Sequence, residues 1–264
     1  MSPPHQRKVT LVSNEVVAPS THVLTFTLPP EDPLEFVPGQ YVTFYLSRNG
    51  RRVTRSYSIF SSALHHDRFR LLIKRIPDGF GSSLLCGLDP LRRPELVVLA
   101  PLGKFTLRPA GGRSILLVAT GTGLAPFVPM LEQIRREEPS TPTWLFYGGR
   151  HPEDLVHTAE FRTLETAWSD FHFVPIVSRP PADGSWTGRV GHVEEHVQRM
   201  FPDLSGADVY LCGVNEMVNE MQDLSQRLGC PKDRIFVERY GEDAEDADHA
   251  AAQVVAPAPA PACP

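Results

Sequence analysis

The sequence lacks the closely spaced cysteines that several functional classes require. Its four cysteines, Cys86, Cys212, Cys230 and Cys263, are scattered, and none belongs to a CxxC pair. Zinc sites, disulfide frameworks and plant-type iron–sulfur clusters all depend on such spacing. We therefore expect no metal centre, and redox chemistry by this chain would not use an iron–sulfur cluster of its own.

An excess of basic charge and a long apolar run are also missing. The chain has 26 basic and 31 acidic residues, a net charge of -5. Nucleic-acid-binding proteins usually carry a strongly basic face, so we expect no nucleic-acid partner. No apolar run is long enough to span a bilayer, and residues 1–7 lack the apolar core of a signal peptide. These patterns predict a cytoplasmic protein without a membrane span, and they leave its oligomeric state open.

The pattern of the 264 residues changes near residue 110. Before it, short runs rich in β-branched and aromatic residues alternate with Pro and Gly, which predicts an antiparallel β-barrel over residues 1–109. After it, apolar strands alternate with helical stretches, which predicts an α/β domain with a parallel sheet over residues 110–241. Residues 242–264 are acidic and then Ala/Pro-rich, so we expect a disordered tail.

Two segments of the predicted barrel have phosphate-binding character. In Arg55-Ser56-Tyr57-Ser58, strand alternation puts Arg55 and Tyr57 on one face, where a guanidinium can bind phosphate beside a ring that stacks on a flat ligand. The segment from Gly79 to Leu85 begins a short helix, predicted at Ser82–Gly87, with glycines and hydroxyls that can cradle a phosphate. Taken singly, an ordinary strand and a plain serine N-cap explain these segments as well or better.

A third segment, Thr120-Gly-Thr-Gly-Leu-Ala-Pro126, follows the apolar strand predicted at Ser114–Ala119 and opens a helix predicted at Ala125–Glu138. Glycines let a backbone approach a pyrophosphate, and a helix start favours negative charge. The third glycine of the usual dinucleotide fingerprint is absent. The strand–loop–helix context nevertheless favours a dinucleotide site over a structural turn.

Arginines follow later predicted strands: Arg150, Arg179 and Arg189. Ligands of parallel sheets gather at the carboxyl ends of the strands. NAD sites prefer an acidic group at the ribose, whereas arginine suits the 2′-phosphate of NADP. Any one of these arginines alone is more often a surface charge, but the three together favour NADP(H) over NAD(H).

Taken in order, these segments resemble the ferredoxin–NADP reductase family over Val9–Gly241. The resemblance consists of Arg-x-Tyr-Ser, Gly-x-x-Ser, Gly-Thr-Gly-Leu-Ala-Pro, Tyr-Gly-x-Arg, Cys-Gly-x-x-x-Met and Glu-x-Tyr, in that sequence and at similar spacing. It implies an FAD barrel followed by a nicotinamide domain, and electron transfer between NADP(H) and ferredoxin or flavodoxin.

The resemblance also implies the site residues. Arg55 and Ser82 would hold the FAD pyrophosphate, Tyr57 would pack on the isoalloxazine ring, and Tyr240 would cover its other face and move to admit nicotinamide. The implied FAD positions are Arg55, Ser56, Tyr57, Ser58, Ile73, Lys74, Arg75, Gly81, Ser82, Ser83 and Tyr240. The implied dinucleotide positions are Thr120, Gly121, Thr122, Gly123, Pro126, Arg150, Ser178, Arg179, Arg189 and Cys212. Hydride transfer would take place beside Ser58, Cys212, Glu238 and Tyr240.

Three other interpretations stay open at this stage. The chain could be an NADH-dependent reductase component of a multicomponent oxygenase, or a flavin electron-transfer subunit of a larger complex. A binding module without flavin is the third, and the absorbance spectrum of the purified protein would separate it from the others.

Overall fold

The computed structural model describes residues 3–240, which form two six-stranded sheets one after the other along the chain. The predicted tail at 242–264 and the domain end at Gly241 lie outside the described residues. The strands of the first sheet are β1 His5–Ala18, β2 Thr21–Thr27, β3 Tyr41–Arg48, β4 Arg51–Ser58, β5 Arg68–Lys74 and β6 Glu95–Leu102. The strands of the second are β7 Ser114–Thr120, β8 Thr143–Gly149, β9 Phe171–Val177, β10 Arg189–Val190, β11 Ala207–Val214 and β12 Ile235–Tyr240.

The first sheet is antiparallel, in the order β4-β3-β6-β1-β2-β5. Its two edges meet just after β4, where Ile59 forms an antiparallel bridge with Leu71 of β5 and the backbone N–H of Phe60 donates to the carbonyl of Arg70. This contact closes the sheet into a barrel, which removes unpaired edges. A seven-residue helix, α1 Phe80–Cys86, buries Leu85 and Cys86 against the barrel core. The antiparallel barrel expected from the sequence is confirmed.

The second sheet is parallel, in the order β10-β9-β8-β7-β11-β12. The chain passes outward from β7 through β8, β9 and β10, then returns to place β11 on the other side of β7. Its helices are α2 Phe127–Glu137, α3 Thr158–Ala167, α4 Val193–Met200 and α5 Asn215–Arg227. The parallel sheet expected from the sequence is confirmed, and the reversal of strand order at β7 and β11 is where such sheets bind ligands.

Element boundaries differ from the sequence pattern for both helices that the sequence locates. The helix expected at Ser82–Gly87 runs from Phe80 to Cys86. The helix expected at Ala125–Glu138 begins at Phe127, because Gly121–Leu124 form a tight 3-10 turn first, and it ends at Glu137. Helix α4 also begins after a glycine, since Arg189 and Val190 pair with β9 and Gly191 then takes a positive φ of 119°. Glycine lets the chain turn between a strand and a helix at these last two places.

The barrel and the second sheet share packed side chains near residue 105. The ring of Phe105 lies 6.0 Å from that of Phe127 and 5.9 Å from that of Tyr210, centroid to centroid. The Tyr210 hydroxyl also accepts a hydrogen bond from the backbone N–H of Arg108 at 2.9 Å. Within residues 3–240, no helix is long and apolar enough to cross a membrane.

Gly39 provides a test of this junction. It has a φ of +99°, and a Cβ there would overlap the carbonyl oxygen of Phe105 and the end of the Met130 side chain. We expect Gly39→Ala to destabilise the protein by ~3 kcal/mol, since backbone strain and overpacking each cost about 1–3 kcal/mol.

Gly50→Ala is the matched control, because Gly50 also has a positive φ, +75°, but nothing lies within 4 Å of its Cβ position. We expect a loss of only ~1 kcal/mol there, from strain alone. Thermal unfolding followed by circular dichroism measures both. Equal losses for the two variants would contradict the tight contact at Gly39.

Candidate active site

The Gly121–Leu124 turn leaves the carboxyl end of β7 and uses its two glycines differently. Gly121 has a φ of +54°, and nothing lies within 4 Å of its Cβ position, so its backbone faces open space. Gly123 is buried, and a Cβ there would overlap the carbonyl oxygen of Cys212 on β11. Gly121 thus leaves room for a ligand beside the backbone, whereas Gly123 lets the turn dock on the neighbouring strand.

Thr120 connects the same two strands through its side chain. Its hydroxyl accepts a hydrogen bond from the backbone N–H of Val214 at 3.5 Å. Gly213 beside it has a φ of +151°, and a Cβ at that position would overlap the Thr120 hydroxyl. Pro126, at φ -66°, directly precedes α2, where its missing N–H costs no helix bond. The predicted dinucleotide segment therefore lies where the strand order reverses.

Tyr240 and Ser58 connect the two sheets. The Tyr240 hydroxyl, at the end of β12, donates a hydrogen bond of 2.6 Å to Oγ of Ser58, at the end of β4. Ser58 is buried and Tyr240 is half-buried. Since 182 residues separate them in the sequence, only the folded arrangement of both sheets brings them together.

Cys212 and Glu238 belong to the same cluster. They are direct partners in the β11–β12 register, and Val214 pairs with Tyr240 two residues further on. Burial raises the pKa of the Cys212 thiol well above its ordinary value, and the negative charge of Glu238 raises it further. Burial likewise raises the pKa of Tyr240. The structure thus brings together all four residues predicted to border hydride transfer, with the thiol and the phenol both neutral.

On β4, Arg55 and Tyr57 face α1. A Cβ added at Gly81 would meet the Arg55 side chain and the Tyr57 hydroxyl, so only glycine lets α1 approach this closely. Burial raises the pKa of Tyr57, and its ring lies edge-on to Phe44 with centroids 6.1 Å apart. Strand alternation predicts this face correctly.

Ser56 faces the other way. Its hydroxyl lies 2.8 Å from that of Thr43, its partner on β3. The hydroxyls of the predicted phosphate cradle are engaged as well: Ser82 accepts from the N–H of Ile76 at 3.1 Å, and Ser83 donates to the carbonyl of Ile76 at 3.2 Å. The Ser82 and Ser83 hydroxyls therefore help to hold the turn before α1. Ser82 only accepts a hydrogen bond there, so its proton is left for a phosphate, beside backbone N–H groups and Arg55.

A polar surface cavity of about 560 Å³, widely open to solvent, lies beside α1. Its walls are formed by Arg48, Arg75, Asp78, Gly79, Phe80, Ser83 and Leu84. Of the three consecutive residues implied for FAD at the end of β5, only Arg75 lines the cavity. Ile73 is buried in the barrel core, and Lys74 is exposed opposite Thr21. Sequence reasoning missed Arg48 and Phe80, since only the fold brings β3 next to α1.

The residues present fit a flavin dinucleotide. The cavity has the size of a small-molecule site, two arginines line it, and the close approach at Gly81 sets Arg55 and Tyr57 against α1.

Within residues 3–240, no group of three or more His, Cys, Asp or Glu side chains is arranged to hold a metal ion.

Two of the predicted arginines lie together at the carboxyl edge of the second sheet. The N–H of Arg179 donates to the carbonyl of Arg150 at 2.7 Å, and Ser178 donates to Gly149 at 3.0 Å, so β8 and β9 present both exposed arginines side by side. Arg189 differs, because its guanidinium contacts the sulfur of Met200 at the end of α4, at 3.9 Å.

Comparisons with known proteins agree with this arrangement. Residues 8–107 match the family model described as the oxidoreductase FAD-binding domain, and residues 117–223 match the oxidoreductase NAD-binding domain. The chain is 32% identical to ferredoxin–NADP reductase B of Sorangium cellulosum, over 87% of this chain and 96% of that protein. It is 30% identical to the propane 2-monooxygenase reductase component of Rhodococcus jostii, over 83% of this chain but only 60% of that longer protein.

A solved structure is similar over nearly the whole described fold. The reductase GcoB from Amycolatopsis superposes with a TM-score of 0.82 at 27% identity, covering 90% of this chain and 71% of that one. The two sheets are of the expected kinds, the candidate site lies at their junction, and one relative is matched over almost its full length. These observations lead to one assignment. The chain belongs to the ferredoxin–NADP reductase family of FAD- and nicotinamide-dependent oxidoreductases.

Proposed function

We propose that this oxidoreductase transfers electrons between NADP(H) and a separate one-electron carrier such as ferredoxin or flavodoxin. The route is hydride transfer between nicotinamide C4 and flavin N5. The observation that carries the proposal is the Tyr240–Ser58 hydrogen bond of 2.6 Å, next to the pair formed by Cys212 and Glu238. It supports a reaction centre between the barrel and the parallel sheet.

FAD, when bound, supplies the exchange between two-electron hydride transfer and single-electron release. The residues of the chain bind, orient and cover it. Arg55 suits the pyrophosphate because a guanidinium forms paired hydrogen bonds with phosphate oxygens. Tyr57 offers a largely desolvated ring for packing against a flat ring system.

Ser58 is suited to a proton-donating role. A hydroxyl has one O–H and two lone pairs, and Tyr240 donates to one of those lone pairs. The Ser58 proton is therefore left to donate elsewhere, toward a flavin ring nitrogen. Glu238 is half-buried beside Cys212 and supplies negative charge at the same place.

Tyr240 covers the site, and the hydrogen bond that holds its hydroxyl on Ser58 is easily exchanged. Such a hydrogen bond contributes only about 1 kcal/mol net. Its aromatic ring can thus shield the flavin from water and yield to a nicotinamide ring. The neutral, buried Cys212 then forms the wall of the nicotinamide pocket.

The preference for NADP(H) is supported by Arg150 and Arg179. Both are exposed and adjacent at the carboxyl ends of β8 and β9, and arginine pairs well with a 2′-phosphate. Arg189 supports the preference less, given its contact with Met200. The second candidate is an NADH-dependent reductase component of an oxygenase, which the likeness to the propane 2-monooxygenase reductase favours.

The absorbance spectrum of the purified protein tests for flavin. A coupled assay then follows NADPH oxidation in the presence of candidate ferredoxins and flavodoxins, with NADH in parallel. Turnover dependent on a carrier protein is the expected result. A colourless protein that takes up no added flavin would refute the proposal.

Removing the Ser58 hydroxyl tests its role. Since one preorganised hydrogen-bond donor contributes about 10²-fold to a rate, we expect Ser58→Ala to slow flavin reduction by NADPH by ~10–100-fold in stopped-flow experiments. Ser225→Ala is the control, because Ser225 is equally buried but donates to the carbonyl of Met221 within α5. Similar rates for wild type and Ser58→Ala would exclude this role.

The adjacent arginines Arg150 and Arg179 predict a preference for NADPH over NADH. We expect the double variant Arg150→Ala/Arg179→Ala to raise the KM for NADPH by ~10–100-fold, because a charged hydrogen bond contributes about 1.5–3 kcal/mol. The KM for NADH should change little. Arg162→Ala is the control, since Arg162 is an exposed arginine on α3 paired with Glu165. A wild type that prefers NADH would count against the NADP assignment.

A further inference from the structure

We infer that Phe80 and Arg48 bind the adenosine monophosphate half of FAD and make the protein select FAD over FMN. FMN ends at its single phosphate, whereas FAD continues into a second phosphate, a ribose and an adenine. The inference rests on the proposed function, which puts the flavin ring at Tyr57 and Ser58. It adds two residues to those that the sequence resemblance implies for FAD.

The direction of β4 sets where this second half would lie. Arg55 and Tyr57 face α1 at Gly81, and alternation puts Val53 and Arg51 on the same face. From Tyr57 to Arg51 the strand rises ~20 Å, at about 3.3 Å per residue. A dinucleotide whose flavin ring is at Tyr57 and whose phosphates are at Arg55 therefore continues toward Arg51.

Arg48 stands at that far end. It pairs with Arg51 across the β3–β4 hairpin, and cross-strand partners point to the same face. Its guanidinium carbon lies 5.3 Å from the centre of the Phe80 ring. Phe80 directly precedes Gly81, so α1 contacts Arg55 and Tyr57 at Gly81 and the guanidinium of Arg48 at the adjacent Phe80.

The cavity at this end has the chemistry of an adenine nucleotide site. Phe80 is half-buried and offers a ring on which a base can stack. Arg48 and Arg75 line the same cavity of about 560 Å³ and suit a phosphate. Asp78, also in the wall, offers carboxylate oxygens that accept from ribose hydroxyls. Arg48 is exposed, so its guanidinium can shift to cover the outer face of the base.

The neighbouring arginine of the hairpin lacks these features. The guanidinium of Arg52 lies 3.4 Å from the centre of the Tyr45 ring and does not line the cavity. Arg48 and Arg52 thus share charge, exposure and a hairpin, and differ in whether they face the cavity. They form a matched pair for a test.

The test measures flavin affinity without activity. Apoprotein is titrated with FAD and, separately, with FMN, and binding is followed by quenching of flavin fluorescence. We expect Phe80→Ala to raise the Kd for FAD about tenfold, since base–aromatic stacking is worth that much or more. The Kd for FMN should stay within twofold of the wild-type value, and Phe80→Trp should restore FAD affinity.

The second part of the test compares Arg48 with Arg52. Arg48→Ala should raise the Kd for FAD severalfold and leave that for FMN unchanged, while Arg52→Ala should change neither. A Phe80→Ala variant that loses FAD and FMN affinity equally, or keeps both, would overturn the inference. A wild-type protein that binds neither flavin would instead refute the proposed function, so the two failures are distinguishable.

Discussion

The candidate site depends on a fixed placement of the parallel sheet against the barrel, which lets the end of β12 reach the end of β4. The hydrogen bond from Tyr240 to Ser58 joins the two at that point. The Phe105 packing and the Arg108–Tyr210 hydrogen bond maintain that placement. A reaction between two flat rings needs this precision, because a shift of 1 Å can cost a large factor in rate.

Glycine is the residue that permits the required close approaches. At Gly123 the turn after β7 rests on the carbonyl of Cys212, and at Gly81 helix α1 rests on Arg55 and Tyr57. A side chain at either position would push the turn or the helix away from its support. The motifs therefore encode the spacing between these elements.

The sequence was sufficient for both sheets and for some of the placements at the candidate site, because the relevant signals are local. Strand alternation put Arg55 and Tyr57 on one face, and the apolar run before Gly121 located the Gly121–Leu124 turn. Contacts between residues that lie far apart in the sequence could not be predicted. No local pattern shows that Ser56 pairs with Thr43, or that Arg48 lies over Phe80, 32 positions further along.

The buried state of the cysteines has a consequence for a protein that handles electrons. Cys86, Cys212 and Cys230 are all buried, and burial raises the pKa of Cys86 and of Cys230 to about 11 and that of Cys212 higher still. Thiolates, rather than thiols, react with oxidants and disulfides. The thiols of these three residues therefore stay protonated at neutral pH, and burial shields them from oxidants, which keeps them out of thiol–disulfide exchange.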